Sequence, residues 1–387
     1  MTALGSIDVE RVVAHRYATA AREREPALCC PVDYDARYLE AIPPEVLERD
    51  YGCGDPSRYV RAGDRVLDLG SGGGKICFIA SQIVGAQGQV LGVDANPEML
   101  ALARGAAGRV AEKIGYANVA FRRGQIQDLG LDLERLDAWL AVHPVKSSDD
   151  LAALEAEAAR LRREDPLVAD TSVDLVVSNC VLNLVREEAR SQLVHEIFRV
   201  LRPGGRIAIA DIVSDEPVPE DLKRDPELWS GCVAGAFEER TLLRQLEQAG
   251  FYGIQIDRWE AQAFAVVRGI EFRSLTVTAR RGKEGPCLEA REAVVYRGPW
   301  RQVEDDDGHV LRRGERTAVC AKTHRLLTAP PYADQVVSIP PREPVSEERQ
   351  QPFDCSRSSR RDPRETKGAD YTVSTPISGT CCGPEGC

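Results

Sequence analysis

At 387 residues, with 43% hydrophobic and 29% charged residues, the chain has ordinary globular composition and length for two domains, or for one large domain with additions. Its net charge of −11 argues against a polyanionic partner, because nucleic-acid affinity comes chiefly from Lys and Arg neutralising phosphates. The charged N-terminus has no apolar signal core and no run of residues reaches membrane-spanning length, so the chain reads as cytoplasmic and monomeric, with neither nucleic acid nor membrane as partner.

Residues 1–60 read as a cap segment. A polar helical start leads into "LCCPVDYDARYLEAIPPEVLERDYGCGDPSRYV", where Pro and Gly punctuate two short helical stretches and where Cys29, Cys30 and Cys53 fall. Over 61–282 strand and helix patterns alternate, which predicts an α/β sheet with helices on both faces. "DRVLDLGSG", "GQVLGVDAN", "NVAFRRGQI", "VDLVVSNC" and "GRIAIADIV" are the first five strands, and "GIQID" and "IEFRSLTVTARR" complete a seven-stranded, mostly parallel sheet. An insert at about 131–170 carries Leu151, Leu154 and Leu161 at helical spacing, and the stretch from Leu228 to Gly250 reads as a further helical region. Residues 283–330, with Asp-Gly and Arg-Gly turns between short apolar runs, suggest a small β appendage. The remainder, 331–387, is rich in Pro, Ser, Arg and Glu, ends in "CCGPEGC" and is expected to be flexible.

Twelve cysteines in a reducing compartment need a reason. No two stand in C-x-x-C spacing, which argues against structural zinc, and five His without an H-E-x-x-H arrangement give little support to catalytic zinc or a Cys-His pair. Cys77, among apolar residues of a helix, reads as core. Cys287 lacks the setting of a cytosine-methylating nucleophile, and Cys320 and Cys355 suggest nothing by themselves.

The loop "VLDLGSGGGK" follows the first strand. It is not a phosphate-binding Walker loop, because Lys75 precedes Ile76 rather than Ser or Thr, and it is not a dinucleotide fingerprint, because Lys75 occupies the third glycine position. The pattern that remains, Asp68, Gly70, Gly72 and Gly74 with Ser71 between, resembles motif I of class I S-adenosylmethionine methyltransferases, a Rossmann-like fold. Glycines suit that cofactor, whose methionine moiety needs close backbone approach. The resemblance implies that Asp94 accepts the ribose hydroxyls, that Ile126 and Gln127 bracket the adenine and that Asn179 borders the cofactor. The turn "FRVLRPGG" before the fifth strand is a further trait of these enzymes.

Ligands of open α/β sheets bind at the carboxyl ends of the strands, which aims Cys180 in "VVSNCVLNLV" at the methyl donor. With "LCCP", "RDYGCG" and "LWSGCVAGA", this motif resembles the cysteine motifs of arsenite S-adenosylmethionine methyltransferases. The resemblance implies that Cys53, Cys180 and Cys232 bind arsenic(III), supplied as arsenite or an arsenite–thiol conjugate. It also implies that Cys30, beside the alternative Cys29, exchanges disulfides with them, renewed by thioredoxin or glutathione as thiol reductant. Soft thiolates suit a soft, trigonal acceptor, and thiol-bound arsenic keeps a lone pair that attacks a sulfonium methyl without a general base. Two other readings stay open: a methyltransferase for a small organic or lipid acceptor, and a non-catalytic metalloid-binding protein. The tail thiols Cys381, Cys382 and Cys387 are either a capture site or incidental.

Overall fold

The computed structural model describes residues 8–25, 32–356, 359–368 and 370–374. Strand β1 (Arg65–Leu69) sends Val66 to one core and Leu67 and Leu69 to the other, as a strand covered on both faces must. Strands β2 (Gln89–Asp94), β3 (Val119–Arg123), β4 (Val173–Asn179) and β5 (Leu201–Ser214) join it in parallel register. β4 is the clearest case: Leu175 and Val177 pack with Ile76, Phe78 and Leu100 on one face, while Val176 packs with Leu193, Ile197 and Phe237 on the other.

Two-residue β6 (Phe237–Glu238) pairs parallel with β5, and β7 (Tyr252–Trp259), β8 (Ala265–Val267) and β9 (Ile270–Arg280) follow. Across the sheet the order is β3-β2-β1-β4-β5-β9-β7, with β9 antiparallel to both neighbours and the short β6 and β8 added at β5 and β9. The seven expected strands are therefore present, with two short additions. The chain reverses its direction of travel between β1 and β4, which opens a crevice at their carboxyl ends.

Several local expectations change. The insert forms two helices, Leu133–Leu140 and Ser148–Glu164, and of its periodic leucines Leu161 is buried whereas Leu151 is 48% exposed. The region from Leu228 is not one helix: Pro226–Ser230 ends at Gly231, and a turn precedes the helix Glu239–Gln248, so Cys232 is not a helical residue. Among the described residues, no helix is long and apolar enough to cross a membrane.

The chain divides into two compact units, Met1–Gly282 and Lys283–Cys387. In the second, strand Ala293–Tyr296 pairs antiparallel with Arg316–Ala318 and with Val336–Ile339, around Val294, Tyr296, Leu311, Val319, Leu327 and Val336. The expected boundary at 330 and the expected flexible tail thus require correction: 336–339 is a paired strand, and the helix Pro363–Lys367 is closed by a capping box between Asp362 and Glu365. The polar, Pro-rich surroundings concealed this order because the strand is only four residues long and two of them, Val337 and Ser338, face water. Cys381, Cys382 and Cys387 lie outside the described residues.

Candidate active site

A cavity of about 660 Å³ opens at the β1/β4 crevice of the first unit. Asp68, Gly70, Ser71, Gly72, Asp94, Ile126, Gln127 and Asn179, every residue assigned to cofactor contact from the sequence, line it together with Cys180. The glycine loop is shaped by its backbone: Gly70, Gly72 and Gly74 have φ of 67°, 50° and 90°. A Cβ on Gly70 would lie 2.4 Å from Val181, so the loops after β1 and β4 touch.

Asp94 accepts from the Gly72 N–H and the Asn96 N–H, each at 2.8 Å, which fixes its carboxylate at the end of β2. Burial raises its pKa against these hydrogen bonds. Burial also pushes Asp68 up to about 7, opposed by the Cys77 thiol, which donates to it at 3.2 Å. Cys77 is fully buried, with a polar contact that its apolar neighbours in sequence did not suggest. Ser71 Oγ is buried and has no hydrogen-bond partner among the described residues, so the cavity wall keeps an unspent polar group. Fixed carboxylates, an open hydroxyl and glycine backbone in a cavity of this size fit S-adenosylmethionine.

Deeper in, the structure brings Cys53, Cys180 and Cys232 together, all buried. Cys180 is the link: its Sγ lies within 4.8 Å of the Cys53 Sγ, and its carbonyl is where the Cys232 thiol docks. Cys180 and Cys232 have φ of 61° and 62°, a region that costs non-glycine residues on the order of 1–3 kcal/mol. Neighbours hold them there: Cys180 N–H donates to Ala210 O at 2.8 Å, and the Cys232 thiol donates to Cys180 O at 3.2 Å. Contact with the other two thiols, then burial, raises the Cys180 pKa well above its ordinary value. Burial, with the Asp211 charge nearby, raises that of Cys53.

Two asparagines after or near the end of β4 do the positioning. Asn179 Oδ1 accepts from Cys53 N–H at 2.9 Å and Gly54 N–H at 3.1 Å, while its Nδ2 donates to Gly54 O at 2.8 Å. Asn183, fully buried, donates to Asp211 at 2.8 Å, to Ile212 O at 2.6 Å and to Cys232 O at 3.3 Å. It holds the turn and also ties it to the Cys232 loop. The Cys53 segment is fastened to the glycine-loop helix by Lys75, whose Nζ is 2.6 Å from Asp50 and 3.6 Å from the centre of the Tyr34 ring.

Sequence reasoning missed two groups. Asp211, at 2% exposure, joins Cys53 and Cys180 in a cluster whose donor atoms lie within 4.8 Å of one another. Burial raises it to about 6 despite N–H donors from Ile212 and Leu182. The lone acid in the apolar "IAIADIV" was the available signal. Tyr17, on the helix Val9–Ala20, lines the cavity, and burial followed by the Cys232 and Cys180 charges raises its pKa. That helix lines the cavity and is tied at both ends of the site: Asn96 Nδ2 donates to Ala14 O at 3.0 Å, and Arg16 to Ser230 Oγ at 2.9 Å. Cys30 and Cys29 lie outside the described residues.

An open, mostly parallel α/β sheet with a glycine-loop cavity at its switch point defines a class I S-adenosylmethionine-dependent methyltransferase. A family model described as a methyltransferase domain matches residues 61–166 and 145–250, and one described as a domain of unknown function, DUF8838, matches 283–371. The chain is 32% identical over 303 residues to an arsenite methyltransferase of Aquipseudomonas alcaligenes, covering 75% of this chain and 77% of that one. It is 29% identical over 324 residues to that of Mus musculus, covering 79% and 75%. The crystal structure of CrArsM, an arsenic(III) S-adenosylmethionine methyltransferase from Chlamydomonas reinhardtii, aligns with a TM-score of 0.55 and 26% identity over 84% of this chain and 100% of that one. The chain belongs to the arsenite methyltransferase family.

Proposed function

We propose that the chain methylates trivalent arsenic held by Cys53, Cys180 and Cys232, with S-adenosylmethionine as methyl donor. The observation that carries this reading is that Cys180, packed in one buried cluster with Cys53 and Cys232, also lines the cavity of the glycine loop. Loading needs no external base. Arsenous acid exchanges three hydroxyls for three thiols, and each hydroxyl leaves as water with one thiol proton. Raised thiol pKa values therefore do not oppose binding, and softness favours sulfur.

S-adenosylmethionine supplies an electrophilic methyl group. Asp94 and the Gly70–Gly72 backbone would hold its ribose and methionine parts, Ile126 and Gln127 its adenine, and Asn179 the boundary with the substrate. The three thiolates fix arsenic with its lone pair free, so proximity and orientation lower the barrier, by on the order of 7–11 kcal/mol in well-aligned cases. Tyr17 and the helix Val9–Ala20 close over the site and exclude water.

Methyl transfer oxidises arsenic from the trivalent to the pentavalent state. The Cys30 thiol attacks one arsenic-bound sulfur: a disulfide forms, the As–S bond breaks with its electron pair left on arsenic, which returns to the trivalent state, and a proton leaves, after which a thioredoxin-type or glutathione reductant renews the two thiols. The test is incubation with arsenite, thiol and S-adenosylmethionine followed by arsenic speciation. Methylated arsenic with stoichiometric S-adenosylhomocysteine is expected; S-adenosylhomocysteine formed only with an organic acceptor would reject the reading.

A further inference from the structure

We propose that Cys287, Cys320 and Cys355 form a second thiol site, built wholly within the unit Lys283–Cys387, that binds arsenic(III) as a three-sulfur complex. The three Sγ atoms lie within 4.8 Å of one another, and all three cysteines are free. They come from three separate parts of the chain. Cys287 precedes the strand Leu288–Glu289, which pairs antiparallel with Gln351–Pro352, and Phe353 N–H donates to Cys287 O at 2.9 Å. That pairing fixes Cys287 beside Cys355. Cys320 caps the helix Ala321–Leu327, and its Sγ accepts from Thr323 N–H at 3.3 Å, which fixes the third sulfur.

The donor set selects the ligand. Three sulfurs suit a soft thiophilic centre. Among the described residues no His, Asp or Glu joins the group as a fourth donor, whereas structural zinc takes four. A trigonal centre that is satisfied by three thiolates matches what is present. Cys320 is buried, while Cys287 and Cys355 are partly exposed, so the group is open on one side to an arriving ion. Protonation is divided too. Burial raises the Cys320 pKa, but hydrogen bonds from Thr323 and contact with the other two thiols outweigh it and leave the pKa lowered. Burial and the Cys287 and Cys320 thiols push Cys355 up. Loading again exchanges three hydroxyls of arsenous acid; each leaves as water, with protons from the thiols or from solvent, and no redox partner is involved.

The choice of arsenic over another thiophilic ion rests on the proposed function, but binding is read without methylation. The test uses the full chain carrying Cys180→Ser, Cys381→Ser, Cys382→Ser and Cys387→Ser, reduced with a phosphine and incubated with sodium arsenite. Arsenic per chain is measured after gel filtration, with X-ray absorption counting sulfur neighbours. One arsenic with three sulfur neighbours is expected, and its loss on adding either Cys320→Ser or the more exposed Cys355→Ser, with unchanged thermal melting as the fold control. Retention unaffected by both substitutions would overturn the proposal. So would a purified chain carrying one zinc that Cys320→Ser removes and arsenite does not displace. Methylation by Cys320→Ser alone at saturating arsenite is expected to be unchanged, which separates failure of this site from failure of the catalytic one.

Discussion

Cys53, Cys180 and Cys232 meet through the end of a central strand and two strained turns, whereas Cys287, Cys320 and Cys355 meet through one short antiparallel pairing and a helix cap. The first set is wholly buried and braced by Asn179, Asn183 and Asp211; two members of the second are partly exposed. The first also shares Cys180 with the cofactor cavity. The same donor atoms thus meet different surroundings. Under the proposed function the first set delivers arsenic to a methyl group and must be preorganised, and strain is tolerated there because the neighbouring hydrogen bonds over-determine it.

The largest expected effect separates the two sets directly. Cys180→Ser should lower arsenite methylation by at least about 10²-fold, since it removes the proposed arsenic ligand that lines the cofactor cavity, while isothermal titration finds S-adenosylmethionine binding retained. Cys320→Ser should leave the saturating rate unchanged in the same assay. Equal losses in the two variants would erase the distinction.

The next tests the bracing. A Cβ on Gly52 would lie 2.1 Å from Asn179 Nδ2, so Gly52→Ala must displace the side chain that holds Cys53 and Gly54. Overpacking of this kind costs about 1–3 kcal/mol, and urea unfolding should show it together with a fall in kcat. Gly105→Ala, in the exposed interior of the helix Pro97–Ile114 with nothing within 4 Å of its Cβ, should instead stabilise by about 0.5–1 kcal/mol with kcat unchanged.

Asp211 gives a smaller, pH-dependent signature. Burial raises it to about 6, so its proton is favoured in the folded state, and the associated stability is complete below the ordinary carboxylate range and lost as pH rises through about 6. Asp211→Asn should remove that part of the slope in thermal melts between pH 4 and pH 7. Because an amide cannot accept at both oxygen positions from Leu182, Ile212 and Asn183, the variant should also be about 1–3 kcal/mol less stable at neutral pH. An unchanged slope would mean that Asp211 titrates like a solvated acid.

The sheet was legible in the sequence because buried parallel strands are continuous apolar runs between turn signals, as in "VDLVVSN". The cofactor loop was legible because glycine takes positive φ without steric cost, as positions 70, 72 and 74 require. The spacing of "LWSGCVAGAF" suggests a helix through Cys232, and nothing local announces the φ of 62° at which its thiol meets Cys180 O. Tyr17 and Asp211 were missed for a related reason: their partners are distant in the chain. The same holds for Cys287, Cys320 and Cys355, which are unremarkable singly and become a cluster only once the strand Gln351–Pro352 returns to Leu288–Glu289. Polar composition after residue 330 also concealed a paired strand, Val336–Ile339, whose order depends on Ala293–Tyr296 beside it.

The most direct measurement is single-turnover methylation by Cys180→Ser, with bound S-adenosylmethionine and arsenic products quantified in one preparation. The account predicts full cofactor occupancy and no methylated arsenic within many wild-type turnover times. Methylated arsenic formed at the wild-type rate would contradict the claim that Cys180 holds the substrate before the methyl donor.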